Sequence, residues 1–299
     1  MREIRLPLPP YAYNFNLLLE FVKRIAHPAR LVVEGGTLWR FTDGHLLSYC
    51  QSGDEIIVRG DSRANGDPDS IERISRQCLG LCCDLTAFYE FAERDQSLWT
   101  VVAPLHGLPI FCTETVFEAL ITLVIEQHIS WKNALRYQRT LMRMFNEGVS
   151  VGRAKVYDFP SPLQLAAVAP ADMKPLKITN RRIDTLIDVA KAVAGGGLDL
   201  EAISQMEPRA AYNRLITIKG VGHWTANNAI GRAMGEYPFV SQNDVALQAA
   251  ARCYFHGGEG DKSANMVTET LGAYGEYAGL AGHFALLRWV LDRYPPIAP

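Results

Sequence analysis

From Thr115 to the C-terminal segment almost every stretch carries apolar residues at three- and four-residue spacing, whereas residues 31–60 alternate apolar and polar residues in short bursts. The bursts are separated by Gly-Gly, Asp-Gly and Ser-Gly-Asp, which are hairpin signals. A helix repeats every 3.6 residues and a strand every two, so the two patterns cannot belong to one kind of element. The chain therefore reads as α+β, a small antiparallel N-terminal sheet domain over 1–112 followed by a mainly helical body over 113–299. Residues 69–100 read as helical too and are assigned in part to that body. "DPDSIERISRQCLGLCCDLTAFYEFAERD" opens on an Asp-Pro-Asp cap, with Ile71, Ile74, Cys78, Leu81 and Leu85 at helical spacing. "TVFEALITLVIEQHISWKNALRYQRTLMRMFNEG" predicts one or two helices ended by Gly148. A Pro-rich loop follows, then "TNRRIDTLIDVAKAVAGGG", a capped helix stopped by three glycines. No internal repeat interrupts this order.

A chain of 299 residues with 48% hydrophobic content can bury its cores without staples. It contains no apolar run of about eighteen residues, and "MREIRLPLPPYAYNF" lacks the pattern of a secretory signal. The expectation is an intracellular protein of the cytoplasm or nucleoid with no membrane partner. Six cysteines without paired Cys-x-x-Cys spacing read as reduced thiols, and only Cys253 lies beyond residue 112. That leaves no four-cysteine iron–sulfur loop near the C-terminus. The net charge of -2 is silent about partners; its distribution is not. Residues 1–100 hold 11 Lys/Arg against 14 Asp/Glu, while residues 126–225 hold 14 against 9.

The basic segment leads into "LITIKGVGHWTANNAIGRAM", where Gly220-Val221-Gly222 joins two helical runs over about residues 211–232. A turn this tight needs positive φ, which glycine supplies. Bare glycines also leave backbone N–H groups at the start of the second helix free to meet an anion, with the helix dipole in favour. A phosphodiester is the natural anion beside so many lysines and arginines.

The stretch resembles the helix-hairpin-helix of the large DNA glycosylase superfamily. That pattern has an apolar-x-Gly-apolar-Gly turn, a following helix with Thr-Ala inside it, here Thr225-Ala226, and an aspartate some twenty residues on. Asp244 falls 22 residues after Gly222, in "FVSQNDVALQ". "FEALITLVIEQHIS" is similar to the superfamily's helix with a Gln-x-apolar-Ser signature. The N-terminal hairpins and "LGAYGEYAGLAGHFALL" are similar to the sheet domain and C-terminal loop of 8-oxoguanine glycosylases, and the body resembles the DNA-3-methyladenine glycosylase II type. The likeness spans about residues 10–295.

The resemblance implies roles. Asp244 would stabilise the oxocarbenium character of a sugar losing its base, or steer water to it. "SQND" before "VALQ" also reads as a helix cap, and the two roles are compatible. Trp224 stands where lyase members of the superfamily carry the Schiff-base lysine, so the resemblance implies glycosylase activity without strand cleavage. Lys219, before the turn, is a poor substitute. Trp224, Asn228, Tyr274 and Tyr277 are the implied base pocket, Trp224 having a second reading as a core aromatic. Gly282 occupies the place of a glutamine that reads guanine in the 8-oxoguanine type, which opposes that specificity. Gln127 and His128 would fill the gap left by an extruded nucleotide, His128 as the wedge; a half-exposed helix histidine is its other reading. The amides of Gly220 and Gly222, with His223, would grip the DNA backbone. Carbonyls of Ile216, Ile218 and Val221 would hold a structural Na+ or K+. No cofactor is implied for the chemistry, and the partner is damaged double-stranded DNA met by a monomer. Three functions stand open at this point: a monofunctional glycosylase for 3-methyladenine and 7-methylguanine, an 8-oxoguanine glycosylase/lyase, or a non-catalytic damage-binding protein.

Overall fold

In the computed structural model, which describes residues 2–25, 30–60 and 68–294, the alternating segment forms a meander of β2 (Leu31–Glu34), β3 (Thr37–Thr42), β4 (His45–Ser52) and β5 (Glu55–Gly60). Asp43 and Gly44 turn β3 into β4 at φ 48° and 76°, the left-handed pair that a two-residue hairpin requires. Leu38, Leu47, Tyr49, Ile56 and Val58 line the buried face. A fifth strand, β1 (Arg2–Pro7), pairs antiparallel with β5 with Leu6 opposite Ile56, giving the order β1-β5-β4-β3-β2. Ile4, Leu6 and Leu8 alternate with Arg5 and Pro7, a period-two pattern outside the stretch read as hairpins. Helix α1 (Phe15–Ile25) covers the sheet with Phe15, Leu18, Phe21 and Val22.

The Asp67 part of the expected cap lies outside the described residues. The helix itself, α2 (Pro68–Cys78), stops earlier than its apolar spacing suggests. Gly80 takes φ 66° and is pressed against the Ile110 carbonyl, where any Cβ would collide. Leu81 and Leu85 are still buried, but from an irregular segment that leads to α3 (Thr86–Ala92) and α4 (Gln96–Val102).

Helix α5 (Val116–Glu126) is buried on every side from Val116 to Ile125 and is capped by the Thr115 hydroxyl. It breaks at Gln127, and α6 (Trp131–Phe145) starts afresh. A short hairpin of β6 (Val149–Val151) and β7 (Ala154–Val156) and helix α7 (Pro162–Ala166), with its Ser161 capping box, fill the Pro-rich region. Then come α8 (Asn180–Ala194), α9 (Leu200–Ser204), α10 (Pro208–Leu215), α11 (His223–Met234), α12 (Val245–Phe255), α13 (Ala264–Gly272) and α14 (Ala278–Arg293). No helix among the described residues is long and apolar enough to cross a membrane.

Two large apolar cores result among the described residues, beside a small cluster of Met142 and Tyr157, and they do not divide at residue 112. The first joins the sheet, α1, α3 and α4 to Leu247, Ala250, Val267, Leu271, Ala281 and Phe284 of α12–α14. The second gathers α5, α6 and α8–α11. Arg30 ties them together. Its side chain, 2% exposed, donates to Glu118 at 3.1 Å, Glu114 at 3.0 Å, Asp158 at 2.9 Å and the Phe41 carbonyl at 2.8 Å. A guanidinium buried this deeply persists only because its fork is matched by acceptors on both sides.

Candidate active site

The two helices flanking Gly-Val-Gly are α10 and α11, and the segment between them is a set of tight turns. Gly220 has φ 86°, and a Cβ there would run into the Thr185 side chain of α8. Gly222 differs from expectation: its φ of -94° suits any residue, and a Cβ would meet open space. Only Gly220 is needed for the backbone path; at Gly222 the missing side chain leaves the N-terminus of α11 bare to an approaching group. His223 is exposed, stacks on Tyr212 with ring centres 5.9 Å apart, and shares a hydrogen bond between Nδ1 and the Tyr212 hydroxyl.

Gln127 does not project outward. Its Nε2 donates to the Gly220 carbonyl at 3.1 Å and to Thr225 Oγ1 at 3.0 Å, so it braces the hairpin and is not available as a plug. His128, the next residue, is exposed and sits at φ 54°. This left-handed residue follows the break at Gln127, in the turn between α5 and α6, a conformation that non-glycine residues adopt at a cost.

Asp244 caps α12. Its Oδ1 accepts from the backbone N–H groups of Ala246 at 2.8 Å and Leu247 at 3.0 Å. Its Oδ2 accepts from the Trp224 indole Nε1 at 2.8 Å. Trp224 packs on the second core while α12 belongs to the first, so this bond crosses the seam between them. Charge-assisted bonds to three donors hold the half-buried carboxylate in one orientation. Beside it, Val245 is 65% exposed.

The wall next to Trp224 is polar. Asn228, one helical turn on, donates from Nδ2 to the Trp224 carbonyl at 2.8 Å and to Ser241 Oγ at 3.3 Å. Asn227 also donates to Ser241 Oγ, at 2.8 Å, and to the Phe239 carbonyl at 3.0 Å. Ser241, whose carbonyl accepts from the Asp244 N–H at 2.8 Å, thus fixes the entry to α12. "SQND" signals a cap, but not that its serine would gather both asparagines.

Two expected pocket walls lie elsewhere. Tyr274 is 8% exposed, with its ring among Phe91 and Phe255 in the first core, so no face is open to a base. Tyr277 packs at 4.8 Å against Phe91 and 5.8 Å against Phe88. Gly282 also points inward: a Cβ there would rest on Leu271 and Leu247, so a longer side chain would enter the core. Its neighbour His283 stacks on Tyr237 with ring centres 4.1 Å apart, and burial, with Arg232 nearby, pushes its imidazole down to about 3.

Lys219 is 91% exposed and 3.9 Å from Asp188 of α8. The carbonyls of Ile216 and Val221 accept no hydrogen bond among the described residues, while that of Ile218 accepts one, from the Val221 N–H at 3.0 Å. A cavity of about 440 Å³ opens away from this site, lined by Glu114, Asp158, Phe159 and Glu201 among others; neither Asp244 nor Trp224 lines it. Among the described residues no three His, Cys, Asp or Glu side chains converge on a metal position.

No family model matches the chain. It is 30% identical over 247 residues to a DNA-3-methyladenine glycosylase of Bacillus subtilis, covering 80% of this chain and 82% of that protein. Its fold is similar to that of a 3-methyladenine DNA-glycosylase from Archaeoglobus fulgidus, with a TM-score of 0.79, 24% identity and 98% of each chain covered. It is also similar to that of an 8-oxoguanine glycosylase/lyase from Clostridium acetobutylicum, with a TM-score of 0.70, 16% identity and 93% of each chain covered.

Proposed function

Because the chain belongs to the DNA-3-methyladenine glycosylase family, we propose that it is a monofunctional glycosylase of base excision repair. It extrudes an alkylated purine of the 3-methyladenine and 7-methylguanine class from duplex DNA and cuts its glycosidic bond, leaving an abasic site. The observation that carries this reading is the Asp244 carboxylate, pinned by two α12 amides and the Trp224 indole. As the base departs, the deoxyribose gains oxocarbenium character, and a fixed negative charge beside it lowers the barrier without reorganising. The same carboxylate can orient the water that closes the reaction. Methylation at a ring nitrogen makes the base cationic and its bond weak, so a tryptophan face next to a carboxylate suits it as a leaving group.

The α10–α11 hairpin supports a backbone grip. Bare amides at Gly222 and the α11 N-terminus meet a phosphate, with His223 beside them. The turn carbonyls of Ile216, Ile218 and Val221 are hard oxygen donors of the kind an alkali cation takes. Such an ion would add positive charge between turn and phosphate. His128 is the segment's free projecting side chain and would wedge into the gap left by the extruded nucleotide. Trp224 at the position implied for a nucleophilic amine, and Lys219 turned toward Asp188, favour a hydrolytic reaction without a Schiff base. The protein would meet DNA as a monomer.

The test is single-turnover incubation of the wild type and Asp244→Asn with end-labelled duplexes bearing 7-methylguanine, 3-methyladenine or 8-oxoguanine, developed with and without alkali. Breaks that need alkali and vanish in the variant are expected. Breaks without alkali, with borohydride trapping of protein on DNA, would replace this reading with a lyase; release from no duplex would replace it with a binding protein.

A further inference from the structure

The polar groups around Trp224 and Asp244 are not evenly divided between donors and acceptors. The indole Nε1 is spent on Asp244, and both hydrogens of the Asn228 amide are spent, on the Trp224 carbonyl and Ser241 Oγ. The amide cannot be turned over: the Trp224 carbonyl only accepts, so the Asn228 nitrogen must face it. That leaves Asn228 Oδ1, which accepts no hydrogen bond among the described residues. The corresponding oxygen of Asn227 is sealed from solvent without a partner, whereas Asn228 Oδ1 is not among the sealed atoms. It is an unpaired acceptor, not sealed from solvent, with a locked orientation on the same face of α11 as Trp224, one turn away.

We infer that Asn228 Oδ1 determines specificity by accepting a hydrogen bond from the 2-amino group of an extruded N7-alkylated guanine. This inference rests on the glycosylase reading above. A purine carrying a carbonyl at that edge would set lone pair against lone pair, and one carrying only hydrogen would leave the oxygen desolvated and unpaired. An N7-alkylated guanine is therefore preferred over a counterpart that carries a carbonyl or only hydrogen at C2, even when that counterpart carries the same positive charge.

The substrate pair that isolates this contact is 7-methylguanine and 7-methylhypoxanthine, both methylated at N7, of which only the first has the exocyclic amino group. Single-turnover release of each from the same duplex sequence, divided by its uncatalysed release, gives a selectivity ratio. The wild type should favour 7-methylguanine by about tenfold. In Asn228→Leu, which has similar volume and no acceptor, the ratio should fall toward one. A wild-type ratio near one, or a ratio unchanged in Asn228→Leu, overturns the inference, because loss of packing alone would slow both substrates together. Asp244→Asn is run alongside: if it releases bases at the wild-type rate, the catalytic assignment fails while the ratio still reports on Asn228. If the wild type releases neither base, both fall.

Discussion

Replacing Trp224 by phenylalanine separates the two things the indole does. The ring face survives in reduced form, while the N–H that meets Asp244 Oδ2 at 2.8 Å is removed. Hydrogen bonds to an ionised group contribute about 1.5–3 kcal/mol, and water can partly replace a donor at a half-buried site, so about 1–2 kcal/mol of positioning is at stake. The other oxygen keeps its two backbone donors, so the carboxylate stays on α12 but gains freedom to swing. If the loss falls on the transition state, excision slows by about 5–30-fold. The assay is single-turnover release of 7-methylguanine over a range of enzyme concentrations, which separates the rate at saturation from the concentration giving half of it. The rate should fall and the half-saturating concentration should hold within about threefold, because the hairpin grip is unaltered. A saturating rate within twofold of wild type would refute the argument. So would a loss confined to affinity, which would make the indole a binding surface only.

Three further outcomes follow from geometry. Gly220→Ala forces a Cβ into Thr185 at φ 86° and should lower stability by about 1–3 kcal/mol in urea titration, whereas Gly222→Ala should change it by less than about 0.5 kcal/mol while weakening duplex binding in fluorescence anisotropy. His128→Ala should reduce excision from a damaged duplex by at least about tenfold more than excision from the same single strand, and equal losses would remove the wedge role. His283 titrates near 3 in the folded chain against an ordinary 6.5, so the unfolded chain takes up its proton first as pH falls. Its contribution is intact above about pH 6.5 and is lost progressively toward pH 3, at no more than about 1.4 kcal/mol per unit and less given its partial exposure. His283→Phe, which keeps a ring on Tyr237, should flatten the acid slope of the urea midpoint between pH 7 and 4; an unchanged slope refutes this.

The parts of the fold that could be read in advance are those whose cause is local. The period-two bursts of 31–60 carry their own turns, Gly220 is needed by the backbone path next to it, and Asp244 lies at a cap whose partners are two and three residues away. What could not be read depends on which side of an element faces a distant partner. Tyr274 and Gln127 have the chemistry of a pocket wall and a plug, yet Phe91, 183 positions from Tyr274, and Gly220, 93 from Gln127, decide otherwise. The early end of α2 follows from the contact of Gly80 with the Ile110 carbonyl, 30 positions away. Arg30 carries no signal at all, since its acceptors come from β3, α5 and the loop at Asp158.

The bond between Trp224 and Asp244 has a meaning in time as well as in space. Its donor belongs to a core whose members end at Met234, but its acceptor rides on a helix packed against α4, α13 and α14. A ribosome delivers α14 only after every helix of the second core. Until it docks, α12 lacks the surface that sets its position, and the carboxylate has no defined place opposite the indole. A nascent chain can therefore form the α10–α11 hairpin before the bond that joins the two cores at Trp224 and Asp244.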